Sequence, residues 1–241
     1  MRFDSPLEHG VLERRYKRFL ADVVMAGGES VTAHVPNSGA MLGLDAPGLP
    51  VLLSRSFNPS RKLPLTLEMV ALESGLVGVN TQHPNALVAE AITEGRIPAL
   101  AGYGSLRREV VYDRDQPRPS RIDILLESEG RAPAWVEVKN VHLSRTHALA
   151  EFPDCRTERG VKHLHALTRV AATGARAVMV FCVQRGDCTV FRAAHDLDPA
   201  YGRALAEAAR AGVEVIVMGC SLSERAIVMD RPMKWIEAPG P

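Results

Sequence analysis

Apolar and polar residues alternate along residues 121–126 and again along residues 134–141, with a polar turn between the two runs. Alternation with a period of two is typical of strands that bury one face, so this stretch predicts a β-hairpin. Because successive side chains on a strand point to opposite faces, Glu137 and Lys139 share one face and the intervening valines pack on the other. Asp123 alternates with isoleucines on the first strand in the same way.

The first eighty or so residues consist of short runs of β-forming residues divided by glycine, proline and asparagine. The predicted strands are residues 11–25, 30–35, 50–56, 65–73 and 76–80. About five strands in this length suit a small closed barrel such as the OB-fold, which removes exposed sheet edges and often binds nucleic acid or saccharide. We therefore predict an OB-fold-like nucleic-acid-binding domain over residues 1–82. The two tryptophans lie outside it, which disfavours a saccharide-binding barrel.

From residue 83 the pattern changes to helical spacing that alternates with strands. Helices are predicted over residues 86–92, 157–172 and 199–211, and strands over residues 106–112, 177–183 and 213–218 in addition to the hairpin. This order predicts an α/β domain over residues 83–241 with a mixed sheet and helices on its faces. We expect few contacts to cross the boundary at residues 80–85.

Composition narrows the class of protein. The chain has 241 residues, is 46% hydrophobic and carries a formal net charge of only +1, so placement of charge matters more than its total. The sequence has no apolar run long enough for a membrane span and no recognisable signal segment, so we expect a soluble, cytoplasmic protein with no membrane partner. Its four cysteines lack Cys-x-x-Cys spacing and are interpreted as reduced thiols.

The chemistry of the hairpin points to a divalent cation. Two carboxylates, Asp123 and Glu137, suit Mg²⁺ or Mn²⁺, and Lys139 beside them could orient water or stabilise a phosphate. A Glu-x-Lys pair is also common on solvated strand faces, so the motif alone leaves both interpretations open. The Asp followed fourteen positions later by Glu-x-Lys resembles the core of PD-(D/E)XK nucleases. That resemblance implies a further acidic ligand from the first helix, for which Glu90 is the candidate; an exposed helix carboxylate is the alternative for Glu90. Glu109, on the predicted strand over residues 106–112, is a weaker candidate for the same role.

A second candidate surface lies near the N-terminus. Cations and aromatics interleave along the predicted first strand, an arrangement that can pair with phosphates and stack on bases. These residues are Arg14, Arg15, Tyr16, Lys17, Arg18 and Phe19. The alternative is that the aromatics are core and the cations solvated. Lys162, near the start of the helix over residues 157–172, could contact a phosphate or form a surface pair with Glu158.

Several segments together resemble the sugar fermentation stimulation protein A family. They are RYKRFLADV (residues 15–23), HVPNSGAM (34–41), SRIDILL (120–126), VEVKNVHL (136–143), FPDCRTERGVKHL (152–164) and GVEVIV (212–217). The resemblance implies an OB-like domain followed by a PD-(D/E)XK-like domain in a DNA-binding protein linked to sugar (maltose) utilisation genes. Cys155 and Arg156 depart from the usual wording FPDAVTERG without touching a predicted metal ligand.

Two hypotheses follow. In the first, Asp123 and Glu137 hold Mg²⁺ or Mn²⁺, Lys139 activates water, and the protein cleaves DNA. In the second, the chain is a catalytically inactive DNA-binding regulator that has inherited the site. The sequence leaves open strand preference and whether the chain forms a homo-oligomer.

Overall fold

The computed structural model describes residues 1–112 and 120–237, so the predicted end of the second domain at residue 241 lies outside the described residues. The N-terminal strands are β1 (Glu8–Tyr16), β2 (Leu20–Met25), β3 (Ser30–His34), β4 (Pro50–Arg55), β5 (Leu65–Leu72) and β6 (Gly75–Gly78). They form a sheet in the order β3-β2-β1-β4-β5-β6, and β3 also pairs with β5. That pairing closes β1–β5 into a five-stranded barrel, which confirms the OB-fold prediction.

The prediction of one strand over residues 11–25 is wrong, because the chain reverses at residues 17–19. Lys17 and Arg18 in this turn have positive φ, 49° and 64°. Glycine or asparagine usually occupies such positions, because other side chains are strained there. Here two cationic residues occupy them, so the sequence carries no turn signal. Only the second half of the cation-rich segment, Lys17 to Phe19, is therefore a hairpin tip, whereas Arg14 to Tyr16 end strand β1.

The second domain has the predicted α/β architecture. Its strands and helices are α1 (Pro84–Thr93), β7 (Ser105–Tyr112), β8 (Ser120–Ser128), β9 (Arg131–Val141), α2 (Glu158–Ala172), β12 (Arg176–Val183), α3 (Pro199–Arg210), β14 (Glu214–Leu222) and β15 (Ile227–Pro232). The sheet order is β15-β14-β12-β9-β8-β7, with β9, β12 and β14 parallel and the outer pairs antiparallel. One apolar core lies between this sheet and α1, and a second lies under α2 and α3.

A second, four-stranded sheet was not predicted. It consists of β10 (Leu143–Thr146), β11 (Leu149–Phe152), β13 (Val190–Ala193) and β16 (Lys234–Trp235), in the order β10-β11-β13-β16. None of these strands exceeds four residues, which is too short for alternation to stand out from a loop. The sheet leads the chain from β9 to the start of α2, and so it helps to place that helix.

The expectation that few contacts cross the domain boundary is wrong. One continuous apolar cluster contains Leu7, Leu52 and Met69 of the N-terminal part together with residues of α1 and the large sheet. The backbone also joins the two parts, because Gly78 N–H donates to the carbonyl of Gln184 at 2.8 Å. The barrel therefore packs directly on the domain that carries the predicted metal site. Within the described ranges, no helix is both long enough and apolar enough to cross a membrane.

Candidate metal centre and nucleic-acid interface

The hairpin opens at the position of Asp123. Strands β8 and β9 pair from Ile124 opposite Val136 towards the turn. On the other side of Ile124, the Oδ2 atom of Asp123 accepts a hydrogen bond from the backbone N–H of Val138 at 2.7 Å. The carboxylate thus takes the place of a strand carbonyl as the acceptor for β9, and this contact holds it beside the Glu137 segment.

Asp123 is also held by the first helix. Asn85, in the first turn of α1, donates from Nδ2 to Oδ1 of Asp123 at 2.8 Å. Burial raises the pKa of Asp123, and the nearby negative charge of Glu137 raises it further, although the hydrogen bonds from Val138 and Asn85 oppose the shift. The ionised carboxylate is therefore disfavoured here, and a cation between the two acids would offset their mutual repulsion.

Glu137 is 2% exposed and lies on the face of β9 that α2 covers. Its Oε1 atom accepts a hydrogen bond from Lys139 Nζ at 2.6 Å and another from Nδ1 of His163. Burial by itself would raise the pKa of Glu137, but the hydrogen bond from His163 and the charge of Lys139 outweigh it and lower the pKa. The other oxygen, Oε2, is buried and has no hydrogen-bond partner in the part of the chain described. A buried carboxylate oxygen without a partner is costly unless a ligand satisfies it.

Helix α2 delivers His163 to this carboxylate. The helix begins after Thr157, whose hydroxyl accepts from Gly160 N–H at 3.0 Å and caps the first turn. A Cβ atom at Gly160 would lie 2.9 Å from the Tyr201 ring, so glycine lets α2 pack closely on α3. Arg159 Nε donates to Nε2 of His163 at 3.2 Å, which leaves Nδ1 of that ring to donate to Glu137. Sequence reasoning missed His163, because the spacing of the helix over residues 157–172 gives no sign that this polar side chain turns towards the strands.

The structure thus brings Asp123, Glu137 and Lys139 together, as the pattern of the two strands predicted. It does not place Glu90 with them. The carboxylate of Glu90 accepts from the N-terminal amine of Met1 at 2.7 Å and from Arg96 at 3.1 Å, and these contacts lower its pKa. The prediction of Glu90 as a third ligand is corrected: from α1 it is Asn85 that reaches the site.

Glu109 approaches the same amide from β7. Its Oε1 atom lies 3.4 Å from Asn85 Nδ2, and its backbone has a positive φ of 54° within the strand. Glu109 is nevertheless exposed, and residues 1–112 and 120–237 contain no group of three or more histidine, cysteine or acidic side chains arranged to hold a metal ion. The candidate centre therefore rests on the two carboxylates Asp123 and Glu137.

Some side chains of the predicted nucleic-acid face form hydrogen bonds within the protein, and others are exposed without an ion pair among the described residues. Arg14 donates to Asp22 at 2.8 Å and stacks over the ring of Tyr16, whose hydroxyl also contacts Asp22. Arg15 points inward and donates to the backbone carbonyls of residues 18, 37, 39 and 40. Burial lowers the pKa of Arg15, and its guanidinium is used for structure.

Lys17, Arg18 and Lys162 remain as exposed cations. Among the described residues they form no ion pair, and the pair that Lys162 could form with Glu158 is not observed. Lys162 lies one turn from Arg159 on α2 and directly precedes His163, which contacts Glu137. Of the predicted set, these three cations are the ones that are both exposed and without an ion pair within the described ranges.

The fold and the site define a two-part class of protein, in which a barrel of the OB type is joined to a mixed-sheet α/β domain with a paired-carboxylate site. Comparison with known proteins finds the same two-part architecture. Residues 14–79 match the SfsA N-terminal OB domain and residues 82–226 match the sugar fermentation stimulation protein RE domain. The chain belongs to the sugar fermentation stimulation protein family.

Relatives of this chain cover nearly its full length. The sugar fermentation stimulation protein homolog of Rhodospirillum centenum is 59% identical over 97% of this chain and 99% of its own. The homolog of Caulobacter vibrioides is 47% identical over 99% and 98%. Among solved structures, Pyrococcus furiosus SfsA in complex with Ca²⁺ is similar, with a TM-score of 0.85, 26% identity and 98% of both chains covered.

Proposed function

We propose that this protein binds DNA and cleaves its phosphodiester bonds with the help of a divalent metal ion. The observation that carries the proposal is the pair of acids at the open end of the β8–β9 hairpin. Glu137 keeps a buried oxygen without a partner among the described residues, and burial together with the charge of Glu137 raises the pKa of Asp123. A protein that used these acids only for packing would gain by neutralising one of them. A divalent cation satisfies both at once.

The residues present fit such an ion. Asp123 and Glu137 would hold it, and two carboxylates with water in the remaining positions is the set that Mg²⁺ commonly uses. Mn²⁺ accepts similar ligands, and the related Pyrococcus furiosus structure is a complex with Ca²⁺, a cation that also prefers oxygen. When bound, such an ion supplies a water of lowered pKa and offsets negative charge on the phosphate.

The neighbouring side chains have distinct tasks in this proposal. Lys139, held 2.6 Å from Glu137 Oε1, places a positive charge where charge grows on a phosphate during cleavage. His163, on α2, contacts the same oxygen, and Arg159 in turn holds the ring of His163. Glu137 Oε1 is therefore occupied by two donors, which leaves Oε2 as the oxygen free to bind a cation.

The test is a cleavage assay on single-stranded and double-stranded DNA with Mg²⁺, Mn²⁺ or EDTA. We expect metal-dependent cleavage by the wild type and loss of cleavage in Lys139→Ala, with DNA binding retained. Glu90→Gln serves as the matched control, because this acid lies outside the group, and it should cleave like the wild type. A folded protein that binds DNA and metal without cutting would contradict the nuclease proposal and favour the regulator of sugar (maltose) utilisation genes.

A further inference from the structure

The tip of the β1–β2 hairpin exposes an aromatic ring beside two cations. Phe19 is 48% exposed and directly follows Lys17 and Arg18, which share the turn with it. Within the described part of the chain, no aromatic ring stacks on Phe19. A tip that presents an exposed ring beside two cations offers a surface for a ligand with both flat apolar and anionic parts.

Hydrogen bonds from Arg15 connect the hairpin tip to a neighbouring loop. Arg15 donates from Nη2 to the carbonyl of Arg18 at 2.9 Å and to the carbonyl of Asn37 at 2.8 Å. The loop at residues 36–41 is held in turn by the second domain, because Met41 N–H donates to Asp154 at 3.0 Å. A Cβ atom at Gly39 would overlap the Asp154 carboxylate, so the loop and this carboxylate are in close contact. The hairpin tip is thus fixed relative to the second domain.

These contacts also place the hairpin tip near the segment that leads into α2. Asp154 lies three residues before Thr157, which caps that helix. Burial and the charge of Asp154 raise the pKa of Cys155, while the charge of Arg18 opposes the shift, which places Arg18 near the same segment. In the first turns of α2, Arg159 contacts His163, which in turn contacts Glu137. The segment beside the hairpin tip therefore leads along the chain to the carboxylate site.

We infer that the hairpin tip is a stacking platform for single-stranded DNA, with Phe19 against a base and Lys17 and Arg18 against the flanking phosphates. The inference rests on the proposed function and specifies its substrate as a single-stranded segment. Bases in a duplex are stacked on each other and offer no free face to Phe19, whereas unpaired bases do. Single-strand binding sites combine cations along the backbone with aromatic rings under the bases in this way.

The experiment measures binding of labelled single-stranded and duplex oligonucleotides of equal length by fluorescence anisotropy, in EDTA so that no strand is cut. We expect Phe19→Ala to weaken single-strand binding about 5- to 100-fold, the range for loss of one stacked base, and to leave duplex binding within about twofold. Phe19→Trp should retain single-strand affinity. Phe57→Ala is the matched control, because Phe57 is 82% exposed on the same barrel but lies between β4 and β5.

A second readout detects the stacking directly. A single 2-aminopurine base in the oligonucleotide loses fluorescence when an aromatic ring stacks on it, so we expect quenching by wild type and by Phe57→Ala but not by Phe19→Ala. Single-strand affinity and quenching unchanged in folded Phe19→Ala would overturn the platform while leaving DNA binding intact. Equal losses for single strand and duplex would overturn the single-strand assignment. A wild type that binds neither form would overturn the proposed function together with this inference.

Discussion

Replacement of Asp123 by asparagine tests the candidate metal centre most directly. The change keeps the shape of the side chain and an oxygen that can accept from Val138 N–H, and it removes the charge that Glu137 disfavours. An acid whose pKa is raised on folding makes the folded state less stable as the pH rises from the unfolded value through the folded value. In EDTA at neutral pH, we therefore expect Asp123→Asn to melt no lower than the wild type.

A bound metal ion should make the wild type melt at a higher temperature than Asp123→Asn. An ion that binds only the folded protein stabilises it by about 2.7 kcal/mol at a hundredfold excess over its dissociation constant. For a chain of this size that corresponds to a rise in Tm of roughly 5–10 °C. We expect a rise of this order in the wild type with saturating Mg²⁺ or Mn²⁺, and little or none in Asp123→Asn.

The assay is thermal unfolding followed by circular dichroism or calorimetry over a metal titration. Glu90→Gln should keep the full rise, because the Glu90 carboxylate is held by the N-terminal amine and Arg96 instead of facing the centre. A rise of equal size in wild type and Asp123→Asn would refute the assignment of Asp123 as a ligand. Absence of the rise in Glu90→Gln would show that the ion binds elsewhere.

Three further predictions concern charge. Arg15→Ala should lower the free energy of unfolding by about 1.5–3 kcal/mol, because it leaves several backbone carbonyls without a charged donor. Arg14→Ala removes an exposed ion pair and should have a much smaller effect; urea denaturation measures the free energy of unfolding of both variants. If Lys17 and Arg18 bind phosphates, replacing both with alanine should flatten the log–log salt dependence of DNA binding by roughly 0.7–0.9 for each phosphate that is no longer neutralised, and a salt titration of affinity measures this slope. Because the pKa of Glu137 is lowered on folding, its contribution to stability is present above its unfolded value of 4.5 and disappears as the pH falls through the folded value. The stability of Glu137→Gln should therefore fall less steeply with decreasing pH than that of the wild type, which acid unfolding followed by circular dichroism measures.

Local pattern was sufficient for the elements that bury one face. The alternation in β8 and β9 predicted that Glu137 and Lys139 share a face, and the spacing in α2 and α3 predicted both helices to within about a residue at each end. These elements are long, and their periodicity repeats several times. The turn at Lys17 and Arg18 left no such signal, since no glycine or asparagine marks it. The short strands of the second sheet were missed for the same lack of repetition.

Sequence pattern alone therefore indicated part of the candidate site: two acids and a lysine on neighbouring strands, with valines on the opposite face of β9. It did not predict the faces of β8, because Ile122 and Ile124 pack in different apolar cores. The distant residues that complete this site became evident only in the folded chain. Glycine allows α2, which carries His163 to Glu137, to pack closely on α3. From α1 it is Asn85 that reaches Asp123, whereas Glu90 pairs with the N-terminal amine and Arg96. Such contacts depend on how helices dock, and docking is set by packing across the whole core, which no short window of sequence encodes.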